Sequence, residues 1–128
     1  MNVLGVGIDG VDVEDFRRRM SRRSGLAQRL FSPEERAWAA LRSDPLPGLA
    51  ARFAAKEATM KALGVGLGAV DLWDVSVERQ PGGRPSLSVS GRAADLAASQ
   101  GVGSWLVSLT HTAIHATAVV LAMAEATS

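Results

Sequence analysis

The order of elements predicts an α+β fold, with helices packed on one face of a largely antiparallel sheet. Three observations carry that expectation. The patterns run strand, three helices, hairpin, helix, hairpin. The chain has 128 residues, with no internal repeat, no low-complexity segment and no linker long enough to split it, so 1–128 reads as a single domain. The last strand is apolar on both faces: Val119, Leu121 and Met123 on one, Val120 with Ala116, Ala118, Ala122 and Ala124 on the other. One small domain covers two apolar faces with difficulty, so self-association is the simplest cover.

Composition narrows the function classes. The chain is 47% hydrophobic and 21% charged, as ordinary folded proteins are, and only 5% aromatic, so Val, Leu and Ala must build the core. A net charge of +1 is too small to imply nucleic acid from bulk electrostatics. The absence of cysteine removes disulfides, thiolate metal sites and Cys nucleophiles, and fits a reducing compartment. Met1-Asn2-Val3-Leu4-Gly5 has no basic segment ahead of a long apolar run, so no secretion signal is expected. The longest apolar run, Ala116 to Ala124, falls well under the ~20 residues a membrane helix needs. A cytoplasmic protein with no membrane span is the expectation.

Val3 to Ile8 reads as a short strand ending at Asp9. Gly5 and Gly7 either weaken it or let another backbone come close. Asp9 is a carboxylate at the end of an apolar strand, and Asp-Gly is also a turn signal, so both readings stand. Asp12 caps a helix over about Val13 to Arg23, with Val13, Phe16 and Met20 as its buried stripe. Arg17, Arg18, Arg19, Arg22 and Arg23 exceed what the helix dipole needs; they read as a solvated face or as a surface for an acidic partner. Ser24-Gly25 breaks the chain. Phe31-Ser32-Pro33-Glu34-Glu35 starts the next helix, with Ser32 as N-cap, Pro33 in the first turn and Glu35 completing a capping box. Ser43 to Gly48 reads as a loop feeding the central helix, or else Asp44 with Pro45 restarts the helix at once.

Arg52 to Leu63 is the central helix, rich in Ala, Leu, Met, Lys and Glu, and Gly64 stops it. Glu57 and Lys61 lie four apart and share a face; Arg52 and Lys56 form a second polar edge. Gly64-Val65-Gly66-Leu67-Gly68 is either a plain turn or a backbone that approaches a phosphate. Leu72–Arg79 and Pro85–Ser90 form a hairpin around Pro81-Gly82-Gly83-Arg84. Gly91 to Gln100 is a short helix. Trp105–His111 and His115–Met123 form the last hairpin.

Asp9 and Glu57 are carboxylates in semi-apolar settings, far apart in sequence. Without Cys, hard oxygen ligands select Mg²⁺ over zinc. Arg52, Lys56, Lys61 and the Gly64-Val65-Gly66 amides would then surround a diphosphate. Residues alone thus point to Mg²⁺-assisted phosphoryl-type transfer, with no Walker motif or kinase glycine loop to suggest ATP hydrolysis.

Gly5-Val6-Gly7-Ile8-Asp9-Gly10-Val11-Asp12-Val13 and Phe31-Ser32-Pro33-Glu34-Glu35 resemble the N-terminal part of the holo-acyl-carrier-protein synthases, the small 4′-phosphopantetheinyl transferases. Arg52-Phe53-Ala54-Ala55-Lys56-Glu57-Ala58 with Lys61-Ala62-Leu63-Gly64 resembles their signature helix. Gly83-Arg84-Pro85 and Val107-Ser108-Leu109-Thr110-His111 resemble later family patterns. The resemblance implies transfer of the phosphopantetheine arm of coenzyme A to a serine of an apo acyl carrier protein, with release of 3′,5′-ADP. It implies that Asp9 and Glu57 hold Mg²⁺ and that Lys61 lies near the phosphate under attack. It places Arg52, Gly64, Gly83, Arg84, Pro85 and His111 around coenzyme A, to which the residue reading adds Lys56. The general base stays open between Glu57, directly or through water, and Lys61. Carrier proteins are acidic, so Arg17, Arg18, Arg22 and Arg23 become the expected partner surface. The small members resemble trimers with the site between subunits, so a homotrimer is implied. Thr112 and His115 depart from the acidic and aromatic residues frequent at those positions. The alternative is a non-catalytic module that binds an acidic partner, a carrier protein or nucleic acid, through the Arg17–Arg23 helix.

Overall fold

In the computed structural model, which describes residues 2–126, β1 (Val3–Asp12) runs past the predicted end at Asp9. It pairs antiparallel with β5 (His115–Ala124), from Val3↔Met123 to Asp12↔His115. The ladder therefore holds Asp9-Gly10 in the strand, and the turn reading of that dipeptide fails. β5 pairs on its other side with β4 (Val102–His111), so the sheet order is β1-β5-β4, all antiparallel. β2 (Val75–Arg79) and β3 (Pro85–Val89) form a separate hairpin, with β3 lying along β4. Leu72–Asp74, expected as strand, is a 3-10 turn leading into β2.

α1 (Val13–Arg22) starts as β1 ends, and the Asp15 backbone N–H donates to Asp12 Oδ1 at 2.9 Å as the cap. A short helix absent from the sequence reading, α2 (Leu26–Leu30), follows the left-handed Gly25. α3 (Pro33–Ala40) carries the expected capping box: Glu35 N–H donates to Ser32 Oγ at 3.2 Å and Ser32 N–H to Glu35 Oε1 at 3.0 Å. α4 (Leu46–Ala62) starts straight after Asp44-Pro45, as the restart reading has it and not at Arg52, and takes in Pro47 and Gly48. Proline suits a first turn. Gly48 lies under the Trp38 ring, which any Cβ there would overlap. α5 (Gly91–Ser99) closes the set.

α4 crosses the inner face of the sheet, against β1 and β5. Its Ala50, Ala51, Ala54, Ala55 and Ala58 are fully buried, and the opposing β5 residues Ala116, Ala118, Val120 and Ala122 are buried too. At Gly5 and Gly7 the strand backbone touches the helix: a Cβ on Gly5 would overlap the Ala62 carbonyl oxygen, and one on Gly7 that of Ala58. Phe16 packs between Phe53 and Phe31, with centroids 5.4 and 6.2 Å away, and seats α1 on α4. On the outer face Val6 is 60% and Ile8 62% exposed, beside Leu106, so the second apolar face is real and lies uncovered in the single chain.

A buried ion pair ties α3, α4 and β2 together. Lys56 and Glu35 are 0% and 1% exposed, with Lys56 Nζ donating to Glu35 Oε1 at 2.6 Å, to Leu72 O at 3.0 Å and to Val75 O. Glu35 Oε2 also accepts from the Val77 N–H at 3.0 Å. Every charge in this knot has partners, the condition under which buried charge is tolerated.

Two measurements test these contacts. Gly7→Ala should cost about 3 kcal/mol or more in urea unfolding, because the overlapped atom is backbone and cannot rotate away; a loss under about 1 kcal/mol would refute the close approach. Lys56→Met should cost about 3–5 kcal/mol by stranding the Glu35 carboxylate. Adding Glu35→Gln should recover part of it, since a neutral amide oxygen still accepts from the backbone. A double variant no more stable than Lys56→Met would show that the stranded charge is not the cause.

Candidate functional site

Strand and helix periods place the carboxylates. Two strand residues advance about 6.7 Å and four helix residues about 6 Å. Gly5 opposite Ala62 and Gly7 opposite Ala58 therefore bring Asp9, the next residue on the same face of β1, against the Glu57 and Lys61 edge of α4. Lys61 Nζ donates to Asp9 Oδ1 at 2.9 Å and to Ile8 O at 3.0 Å. The Lys61 side chain is 55% exposed and that of Asp9 13%, so the pair opens to solvent from the lysine side.

Electrostatics sets these groups apart. Burial, then the neighbouring Asp9 carboxylate, pushes the Glu57 carboxyl up to about 7; Arg19 and Lys61 oppose that rise. Hydrogen bonding to Asp9 holds the Lys61 ammonium above its ordinary value. Two hard oxygen donors share a half-buried pocket with too much negative charge. That donor set fits a divalent cation of the Mg²⁺ kind, which commonly takes one or two protein carboxylates. Asp9, Asp12, Phe16, Arg19, Phe53 and Glu57 line a cleft of about 210 Å³. Arg19 reads in the sequence as one of five arginines. Its place three residues after the buried Phe16 is what turns it over Phe53, 5.8 Å from the ring centroid, and towards Glu57.

Several expected site residues lie elsewhere. Lys56 does not face the carboxylate pair. It is sealed in the core with Glu35, because residues adjacent on a helix point about 100° apart and Glu57 already takes the β1 side. Arg52, one turn before Lys56, is buried against Trp38 on that same other side of α4. The Gly64-Val65-Gly66 amides are not free as a set. Gly64, at φ 72°, donates to Lys61 O and Val65 N–H to Met60 O, both at 3.0 Å, which ends α4 in a Schellman turn.

Gly83, Arg84 and Pro85 sit at the β2–β3 hairpin, and β3 flanks β4, across the sheet from β1 and Asp9. Arg84 and Pro85 line a groove of about 410 Å³ with Leu106 and Leu121. His111 ends β4, exposed, opposite Ala116. One chain thus does not bring these residues to the Asp9–Glu57 pair. On α1, Arg17 forks onto Asp44 at 2.9 and 3.2 Å and onto Glu14 at 3.2 Å, and Arg18 pairs with Asp15. Among the described residues Arg22 and Arg23 form no ion pair, so of the four expected partner-binding arginines these two have unengaged heads.

Comparison with known proteins gives a concordant result. The family model described as the 4′-phosphopantetheinyl transferase superfamily matches residues 5–120. A holo-[acyl-carrier-protein] synthase of Streptomyces coelicolor is 48% identical over 123 residues, covering 95% of this chain and 98% of that one. A crystal structure of the synthase from Neisseria meningitidis superposes with a TM-score of 0.87 at 28% identity, covering 95% of this chain and 99% of that one. A coenzyme A complex of the Chronobacterium ammoniagenes synthase superposes at 0.83 with 29% identity, over 95% and 98%. With the family model matching residues 5–120 and a relative 48% identical over nearly the whole of both chains, the chain belongs to the 4′-phosphopantetheinyl transferase superfamily.

Proposed function

We propose that this chain transfers the 4′-phosphopantetheine group of coenzyme A to a serine hydroxyl of an apo acyl carrier protein and releases 3′,5′-ADP. The observation that carries the reading is the Asp9–Glu57–Lys61 group, built where β1 crosses α4 in a chain of this superfamily. In the reaction the serine oxygen bonds to the phosphorus that carries the pantetheine arm. The bond from that phosphorus to the bridging oxygen of the diphosphate breaks, and the serine proton passes to a base. Asp9 and Glu57 are the residues that would hold Mg²⁺, which when bound supplies charge neutralisation at the diphosphate. Lys61, kept charged by Asp9, suits stabilisation of negative charge on the phosphate and not proton abstraction. Glu57, directly or through one water, is then the candidate base.

The rest of the assignment follows the same reading. Residues 1–128 act as one domain in the cytoplasm. Arg22 and Arg23 face the acidic carrier, while Arg17 and Arg18 brace α1. The apolar outer face around Val6, Ile8 and Leu106 is the surface for a homotrimer. A neighbouring copy then supplies Gly83, Arg84, Pro85 and His111 to the coenzyme A site, which explains why one chain keeps them apart from Asp9. Gly64 shapes the chain next to Lys61.

The direct test is an intact mass of an apo carrier protein after incubation with the chain, coenzyme A and Mg²⁺. A gain of one phosphopantetheine is expected, lost on chelation and in Asp9→Ala and Glu57→Ala. No gain across carriers from fatty-acid and polyketide synthesis would refute the activity.

A second test uses pH. The folded-state value for Glu57, about 7, lies above its unfolded 4.5, so its contribution to stability is complete below about 4.5 and gone above about 7. Without metal, Glu57→Gln should therefore unfold at a higher temperature than the parent at pH 8, and at nearly the same temperature at pH 5. Mg²⁺ should raise the parent's midpoint at pH 8 and leave the variant's unmoved. Equal midpoints at both pH values would remove the crowded-carboxylate account.

A further inference from the structure

The Lys56–Glu35 pair is buried charge that the transfer chemistry does not use, yet it lies one residue from Glu57. The Lys56 ammonium has three N–H donors, and all three are spent: on Glu35 Oε1 in α3, on Leu72 O in the 3-10 turn and on Val75 O in β2. Glu35 is held as fully. Its Oε1 also accepts from the Ser32 N–H and its Oε2 from the Val77 N–H, both at 3.0 Å. The Ser32 hydroxyl, which caps α3, meets the buried Ser76 hydroxyl of β2 at 2.6 Å. α3, the turn and β2 thus form one frame, and Lys56 fastens α4 to it.

Stability does not account for charge at this place. A buried ion pair is commonly no better than apolar side chains of the same volume. Apolar neighbours are at hand, with the Phe31 ring centroid 5.4 Å from Lys56 Nζ. What apolar packing lacks is direction. Three hydrogen bonds converging on one nitrogen fix how α4 is turned about its own axis. On its other side α4 meets β1 through backbone, at Gly5 and Gly7, and that contact sets separation more than rotation. The alanines that α4 turns to the sheet, Ala54, Ala55 and Ala58, offer no long side chain to block a turn of the helix.

Rotation is what Glu57 is sensitive to. The end of a side chain lies about 5–6 Å from a helix axis, so a turn of about 20° carries it about 2 Å sideways. A working constellation needs its groups held within about 0.5 Å. The lysine that fixes the turn is adjacent in sequence to this carboxylate, with no residue between them to absorb a twist.

We propose that Glu35 is a positioning residue for the Asp9–Glu57 pair: through Lys56 it fixes the rotation of α4 and so aims Glu57 at Asp9. The inference rests on the reading of that pair as a Mg²⁺ site and says what keeps the site in shape. Glu35 thereby has a task beyond its capping box, and Lys56 one beyond neutralising Glu35.

The test compares the parent with Lys56→Met/Glu35→Gln, which keeps an acceptor for the Val77 N–H and removes the tie to α4. The control is Val102→Ala, a core truncation at the start of β4, outside the frame. Unfolding midpoints establish that each chain is folded. Mg²⁺ is then titrated calorimetrically into each full chain without coenzyme A or carrier. The Kd should rise about tenfold in the double variant, as loss of outer residues of metal sites commonly causes, and stay as in the parent in Val102→Ala. Metal-free crystal structures of parent and double variant should show the Glu57 carboxyl displaced relative to Asp9 by more than about 0.5 Å. A Kd in the double variant equal to the parent's overturns the proposal. So does equal weakening in both variants, which reports general loosening of the core. A parent that binds no Mg²⁺ overturns the metal reading instead; the two structures then decide, and an unmoved Glu57 carboxyl overturns the positioning role. If the double variant does not fold, Glu35→Gln alone takes its place: it weakens the tie by removing the charge, a several-fold rise in Kd is expected, and no rise overturns the proposal.

Discussion

The backbone contact between β1 and α4 is the constraint on which the rest depends. Gly5 and Gly7 remove the side chains that would otherwise separate strand from helix, so β1 lies directly on the Ala62 and Ala58 carbonyls. The helix answers with alanine on its buried faces, and β5 with Ala116, Ala118 and Ala122. Large side chains in this layer would widen the gap and carry Asp9 away from Lys61, where 2.9 Å now separates the charged atoms. Close packing of small residues thus serves geometry more than hydrophobic gain. The bulk of apolar burial is left to the Phe16–Phe31–Phe53 cluster and the layer beneath α5.

Lys56 and Lys61 show how location decides what one residue type does. Five positions apart on one helix, they point to different sides. Burial pushes the Lys56 ammonium down and Glu35 pulls it back. Lys61 at the open edge is held up by Asp9. The first holds three elements together; the second has an exposed, charged head beside two carboxylates. The neighbouring pair Lys56–Glu57 is divided in the same way. Its lysine anchors α4 from one side, so that its glutamate meets β1 on the other.

The sequence makes legible what is local. The capping box at Ser32–Glu35, the Asp12 cap, the Gly64 stop and the β2–β3 and β4–β5 hairpins all follow from neighbours within a few residues, and each appears in the structure. Asp9, Glu57 and Lys61 are grouped by residue type and by the family resemblance, together with Arg52 and Lys56, while Gly5 and Gly7 stay open between a weakened strand and a close approach. What escaped was long-range. Asp9-Gly10 stays open between a strand end and a turn until the β5 ladder is known. Leu46-Pro47-Gly48 stays open between a loop and a helix restarted at Asp44-Pro45, because nothing nearby reveals that Trp38 covers Gly48. Spacing shows that Arg52 and Lys56 share a face but not which face, and Glu35 seemed fully explained by its cap. Its second task, neutralising Lys56, is set by packing alone.

Taken together, the two sides of α4 divide the charge of the chain. On the β1 side burial, then the neighbouring Asp9 carboxylate, pushes Glu57 up to about 7 against the pull of Arg19 and Lys61. On the Trp38 side burial, opposed by Glu35 and with smaller contributions from Arg79 and Arg42, pushes Arg52 down to about 10. The two groups cannot neutralise each other, because the buried alanines of the helix and the Lys56–Glu35 pair stand between them. A chain near overall neutrality, at +1, therefore keeps opposite charges unsatisfied on either side of its most buried element. Neither imbalance helps folding, since uncompensated charge in a partly buried setting costs stability.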